Sequence, residues 1–171
     1  MKTEKIYRLI KSKNFNTVLK TFFLLFLILW MVFIFTRSSK IADESNKESG
    51  RFVDATGEIM ESLTNKPVIN KTPINHKVRK AAHFIEYALL GALAFINVVL
   101  WAGKSFFAML LSLAFCFITA CSDELLQTYV DGRAGSLKDV LIDCCGALFG
   151  MIFICCLYVL LKKTLLNKRL E

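Results

Sequence analysis

Three short groups of residues hold the side chains able to do chemistry. His83, Glu86 and Tyr87 stand at i, i+3 and i+4 and so share one face of any helix that carries them, with Arg79 and Lys80 one turn earlier. Asp123, Glu124 and Gln127 form the second group, followed by Arg133 in the loop Asp131-Gly132-Arg133. Asp139 and Asp143, at i and i+4, form the third. An imidazole, carboxylates and an amide are suitable donors for zinc, manganese or calcium, so a divalent metal is the one cofactor these residues suggest, with His83, Glu86, Asp123, Glu124 and Asp139 as its ligand set. A metal there would activate water against a phosphate or peptide bond, with a remaining carboxylate as base. The same side chains also suit a binding pocket without catalysis, or an ion-pair and hydrogen-bond network that only fixes how helices dock. No phosphate-binding glycine loop, nucleophile elbow or HExxH accompanies them, which removes the usual motifs of cytoplasmic enzymes.

The elements that must position these groups are strongly apolar. Of 171 residues, 55% are hydrophobic and 21% charged, and the mean hydropathy is +0.50. Such a composition excludes disorder and a water-soluble enzyme. Four stretches, about residues 18–35, 83–101, 106–121 and 140–161, approach the roughly 20 residues a helix needs to cross a hydrocarbon core of about 30 Å. Strict apolar–polar alternation is absent, which argues against a membrane barrel. The sequence therefore predicts an all-α integral membrane protein with four transmembrane helices in a bundle.

Lys/Arg bias sets the expected orientation. Lys2, Lys5, Arg8, Lys11 and Lys13 precede the first span, and Lys162, Lys163, Lys168 and Arg169 follow the last. Residues 1–17 and 162–171 are thus expected in the cytoplasm, together with the short Gly103-Lys104 link, in a multi-pass protein of the cell membrane. Residues 36–80 become an outer loop. That loop is itself rich in Lys and Arg, but a loop this long obeys the bias only weakly. The net charge of +8 gathers largely at the basic ends, which suits anchoring to anionic lipid and not nucleic acid. A cleaved signal peptide is the rival reading of the first span. Its apolar length and the absence of an Ala-x-Ala type site at Phe35-Thr36-Arg37-Ser38-Ser39 favour a retained anchor. Within the outer loop Phe52, Ala55, Ile59 and Leu63 recur at helical spacing and predict a short amphipathic helix.

On this topology the second and fourth helices begin outside and the third ends there, so the three polar groups converge. Ser38 and Ser39, just beyond the first span, reach the same level. The expected result is an extracytoplasmic polar pocket, while the cytoplasmic halves are apolar apart from Asn97. Each ionisable group at a helix centre costs about 2.5 to 3.5 kcal/mol on insertion scales, so such groups need a partner or a purpose. Asp123 and Glu124 lie at a helix C-terminus, which disfavours anions, and Arg133 and Lys138 are the nearest compensating cations in sequence. Tyr87, Tyr129 and Trp101 also suit interfacial aromatic belts, and His76 reads as a surface residue. Cys116, Cys121, Cys144, Cys145, Cys155 and Cys156 read as small packing residues, neither disulfides nor metal ligands. Gly146 and Gly150 form a GxxxG, with Ala88 and Gly91 available opposite. Internal packing is the favoured use, a homo-oligomer the alternative.

The ordered set Arg79-Lys80-x-x-His83-x-x-Glu86-Tyr87 with Gly91, Asp123-Glu124-x-x-Gln127, Gly132-Arg133, Asp139-x-x-x-Asp143 and Gly146-x-x-x-Gly150 resembles the VanZ-like membrane proteins, over roughly residues 20 to 160. Ser38-Ser39 belongs to the same resemblance. It implies a cell-envelope function linked to reduced susceptibility to glycopeptide antibiotics, teicoplanin above all. By matching positions it carries over His83, Glu86, Asp123, Glu124, Gln127, Arg133 and Asp139. Two departures are Lys40, where the family often has Gln, and Asp143, where Asn is common. The expected ligand is an envelope component, such as a lipid-linked or peptide-carrying wall precursor, or the antibiotic. A metal-dependent membrane hydrolase or transferase acting on a lipid-linked substrate is the second reading. A purely structural membrane partner is the third.

Overall fold

A computed structural model describes residues 13–40, 50, 72–103 and 106–167. Four helices account for nearly all of them: α1 (Lys13–Ser38), α2 (Thr72–Ala102), α3 (Phe106–Gln127) and α4 (Leu137–Asn167). Among the described residues there is no strand. Each helix contains a segment long and apolar enough to cross a membrane: Asn14–Ser38, Lys77–Ala102, Phe106–Gln127 and Leu137–Thr164. The four expected spans are all present. The helices extend past the apolar cores, so Arg79 and Lys80 are helical, as are Asp123 to Gln127. The amphipathic helix expected around Phe52 to Leu63 lies outside the described residues, as do both basic termini beyond 13 and 167.

The ends have local causes. Gly103 adopts φ 84°, the left-handed region that a glycine enters without steric cost, and its N–H donates to the Val99 carbonyl at 2.9 Å to close α2. After α3 the chain turns through Thr128 to Val130, and Gly132 takes φ 73°. Ser136 precedes α4 and its carbonyl accepts from Asp139 N and Val140 N, while Asp139 places an anion in the first turn, where the helix dipole favours one.

α2 is the central helix and packs against all three others, most extensively against α4. The reason is a row of small residues. A Cβ built on Gly91 would strike the Ala147 backbone, one on Gly146 the Phe84 carbonyl, and one on Gly150 the Ala88 carbonyl. The two backbones thus touch where only hydrogen allows it, the arrangement that drives helix association in lipid, where apolar burial gives no advantage. The GxxxG therefore serves packing within the chain. α1 lies against α2 and α3 and, among the described residues, makes no packing contact with α4. It is tied by polar bonds: Trp30 Nε1 donates to the Glu86 carbonyl at 2.9 Å, and Asn97 Nδ2 donates to the Phe23 carbonyl at 3.0 Å and to Leu93 O at 2.9 Å.

Leu27, Ile34, Tyr87, Leu90, Leu93, Cys116, Ala147 and Met151 form the buried core. Much of what faces outward is equally apolar, including Leu25, Leu29, Ile118, Leu125, Leu141 and Phe153. A continuous surface of that kind is suited to hydrocarbon and not to water. All six cysteines are free and lie in or beside the spans. At the edge opposite the polar groups, Lys20 Nζ lies 4.8 Å from the centroid of the exposed Trp101 ring.

Candidate polar site at one end of the bundle

The C-termini of α1 and α3 and the N-termini of α2 and α4 meet at one end. Because the chain reverses at each connection, polar groups far apart in sequence become neighbours there. Ser38, 1% exposed, donates from Oγ to Asp123 Oδ2 at 2.8 Å, across 85 residues of chain. Gln127 Nε2 bridges the two acids of α3, donating to Asp123 Oδ2 and Glu124 Oε1, each at 3.3 Å. Glu124 Oε2 accepts the Ser136 backbone N–H at 2.7 Å. Asp139 Oδ1 lies 2.7 Å from Lys80 Nζ, and Glu86 Oε1 lies 3.2 Å from Arg37 Nε.

A cavity of about 290 Å³ opens among these groups, walled by Arg79, Lys80 and His83 of α2, Glu124 and Gln127 of α3, Arg133 of the α3–α4 loop, and Asp139 and Asp143 of α4. Ser38, Glu86, Tyr87 and Asp123 are buried beside it and do not line it. Tyr87 belongs to the core and its hydroxyl has no hydrogen-bond partner. Ser39 faces away, exposed, with its hydroxyl on the Thr36 carbonyl at 2.9 Å. Exposed Tyr129 and Lys138 also stay outside the site, and the His76 side chain lies outside the described residues.

The expected compensation of Asp123 and Glu124 takes a more distributed form than one arginine. Arg133 Nη1 donates to the Ser38 carbonyl at 3.2 Å, which caps the end of α1. Burial and the nearby Arg79 guanidinium hold Arg133 below its usual range, while Asp123 and Glu124 pull in the opposite direction. The direct partners of the two acids are instead Ser38, Gln127 and a backbone N–H. Sequence reasoning missed Arg37 and Ser136. Arg37 sits one residue before the serine pair, where it reads as a flanking charge. Ser136 acts through its main chain, which no residue type announces.

Among the described residues, one group of three has potential ligand atoms within 4.8 Å of one another: His83, Asp123 and Asp143. Of the ligand set expected from sequence, His83 and Asp123 are therefore together. Glu86 and Asp139 are engaged by Arg37 and Lys80, and Glu124 by Gln127 and Ser136. Asp143 stands in their place. A second cavity, about 520 Å³ at the opposite end, is walled by apolar residues such as Phe95, Val99, Phe106 and Ile154 and offers no comparable chemistry.

Four apolar helices, with charged side chains gathered at one end and an oily exterior elsewhere, define a multi-pass membrane protein. A family model described as VanZ/LLP1 matches residues 23–161, and the chain belongs to that family. Comparisons with curated proteins and with solved structures find no match.

Proposed function

We propose that this protein acts in the cell envelope by holding a component with an anionic group, a lipid-linked or peptide-carrying wall precursor or the antibiotic itself, in the cavity at the polar end. Its physiological effect is lower susceptibility to glycopeptides such as teicoplanin. The observation that carries this reading is the cavity itself: about 290 Å³, walled from three helices and a loop, with Arg79, Lys80 and Arg133 on its surface. Arginine presents a planar fork of donors to carboxylate or phosphate. The Lys/Arg bias of residues 1–17 and 162–171 supports an orientation with both termini in the cytoplasm and this cavity outside the cell.

The test expresses the full chain in a susceptible host and measures the inhibitory concentration of teicoplanin. Protection is expected from the wild type, and at least a fourfold loss of it from Arg79→Ala combined with Arg133→Ala at unchanged protein level. Wild-type protection from that double variant, or none from the wild type, refutes the reading. Orientation is checked by placing Tyr129→Cys in a chain stripped of its six native cysteines. An impermeant thiol reagent added to intact cells should label it.

A further inference from the structure

We infer that His83, Asp123 and Asp143 form a binding site for one divalent transition-metal ion, zinc or manganese, beside the polar cavity. Their potential ligand atoms lie within 4.8 Å of one another, so small side-chain adjustments bring them around a common ion. Proximity alone would not suffice, and the independent observation is the state of Asp143. It is 0% exposed, and neither carboxylate oxygen has a hydrogen-bond partner. The carboxylates of Glu86, Glu124 and Asp139 are each engaged, by Arg37, by Ser136 and Gln127, and by Lys80 respectively. Asp143 is held in place by the packing of its own helix. It lies on the stripe that continues through Gly146, Ala147 and Gly150, and that stripe packs on α2, with Gly146 against the backbone of Phe84, the neighbour of His83.

The other two members are prepared in the same way. Asp123 is 0% exposed, and its Oδ2 takes the bonds from Ser38 and Gln127 while Oδ1 is left without a partner. One oxygen oriented by neighbours and the other free is how second-layer bonds aim a metal-binding carboxylate. His83 Nδ1 is buried and likewise has no partner. Two carboxylates and an imidazole leave an ion short of its usual coordination number, so at least one position remains for water or an anionic group. The imidazole favours zinc over the hard oxygen-seeking magnesium and calcium, and the two carboxylates beside it also suit manganese. His83 and Asp143 also line the cavity, which gives the ion an entry path.

The test uses untagged full-length protein in detergent, stripped with chelator and titrated with Zn²⁺ or Mn²⁺, with bound metal measured by elemental analysis and stability by thermal melting. Wild type should take up close to one ion per chain and melt higher when loaded. Asp143→Asn, Asp123→Asn and His83→Ala should each weaken uptake at least tenfold and abolish the rise. Asp143→Asn keeps the side chain's size and removes a buried unpaired acid, so its metal-free form should melt no lower than metal-free wild type, which separates a lost ligand from a lost fold. Ser39→Ala should bind as wild type. The assignment is overturned if neither ion binds saturably, if uptake survives all three substitutions, or if magnesium or calcium is preferred. A metal bound as expected with no protection against teicoplanin supports this site and refutes the function proposed above, so the two can fail separately.

Discussion

The α2–α4 seam and the α1–α2 contact are made of opposite materials. Along the seam, Gly91, Gly146 and Gly150 remove side chains until backbone meets backbone. Between α1 and α2, side chains reach across instead: Trp30 to the Glu86 carbonyl, Asn97 to the Phe23 carbonyl, and Arg37 to the Glu86 carboxylate. The seam has no tolerance for added volume, whereas each polar tie can be cut singly. The seam also sets the relative height of His83 and Asp143, while α1 delivers Ser38 to Asp123. The site therefore rests on a tightly packed pair of helices, α2 and α4, takes Asp123 from α3, and is buttressed by α1, which docks with hydrogen bonds.

The largest effect is expected from Gly150→Leu, whose side chain would enter the Ala88 backbone. It should cost about 3 kcal/mol or prevent folding altogether, measured as the fraction folded in a denaturing-detergent titration. Next comes Arg37→Ala, which strands the buried Glu86. A loss of about 2 kcal/mol is expected, below that of a fully buried pair because the Arg37 side chain is 40% exposed. Adding Glu86→Gln should recover part of that loss, and a double variant worse than the sum of the singles would show that the pair is not the unit. Trp30→Phe keeps an aromatic ring but loses the indole N–H and its bond to the Glu86 carbonyl, so about 1 kcal/mol is expected in the same titration. Asn97→Leu should cost least, about 0.6 kcal/mol, the average for interhelical polar bonds in lipid. If Trp30→Phe or Asn97→Leu proves more damaging than Gly150→Leu, the roles given to seam and ties are reversed.

Hydropathy made the four spans legible, and the small residues at Gly91, Gly146 and Gly150 marked the seam. The gathering of His83, Asp123 and Asp143 at one end followed from helix direction alone, since alternate helices must reverse. What stayed hidden was rotation about each helix axis. An apolar stretch such as Val18 to Phe35 is oily all round, so nothing in it tells which face meets α2, and Trp30 and Arg37 could not be assigned partners. Pairing within one helix was readable from spacing, as with Asp123 and Gln127. Pairing between helices needs the relative turn of two cylinders, as with Ser38 and Asp123. The same gap explains why Asp143 was absent from the expected ligand set: its i, i+4 relation to Asp139 was visible, but not that Lys80 would claim only the latter.

The bond from Arg133 to the Ser38 carbonyl spans 95 residues and bears on the order of assembly. During synthesis α1 emerges first, yet the guanidinium that closes its end leaves the ribosome only after α2 and α3. A nascent chain halted before that loop would carry an anchor whose last turn is unfinished. The loop between α3 and α4 therefore adds the last tie to a helix already held on α2 by Trp30, Asn97 and Arg37.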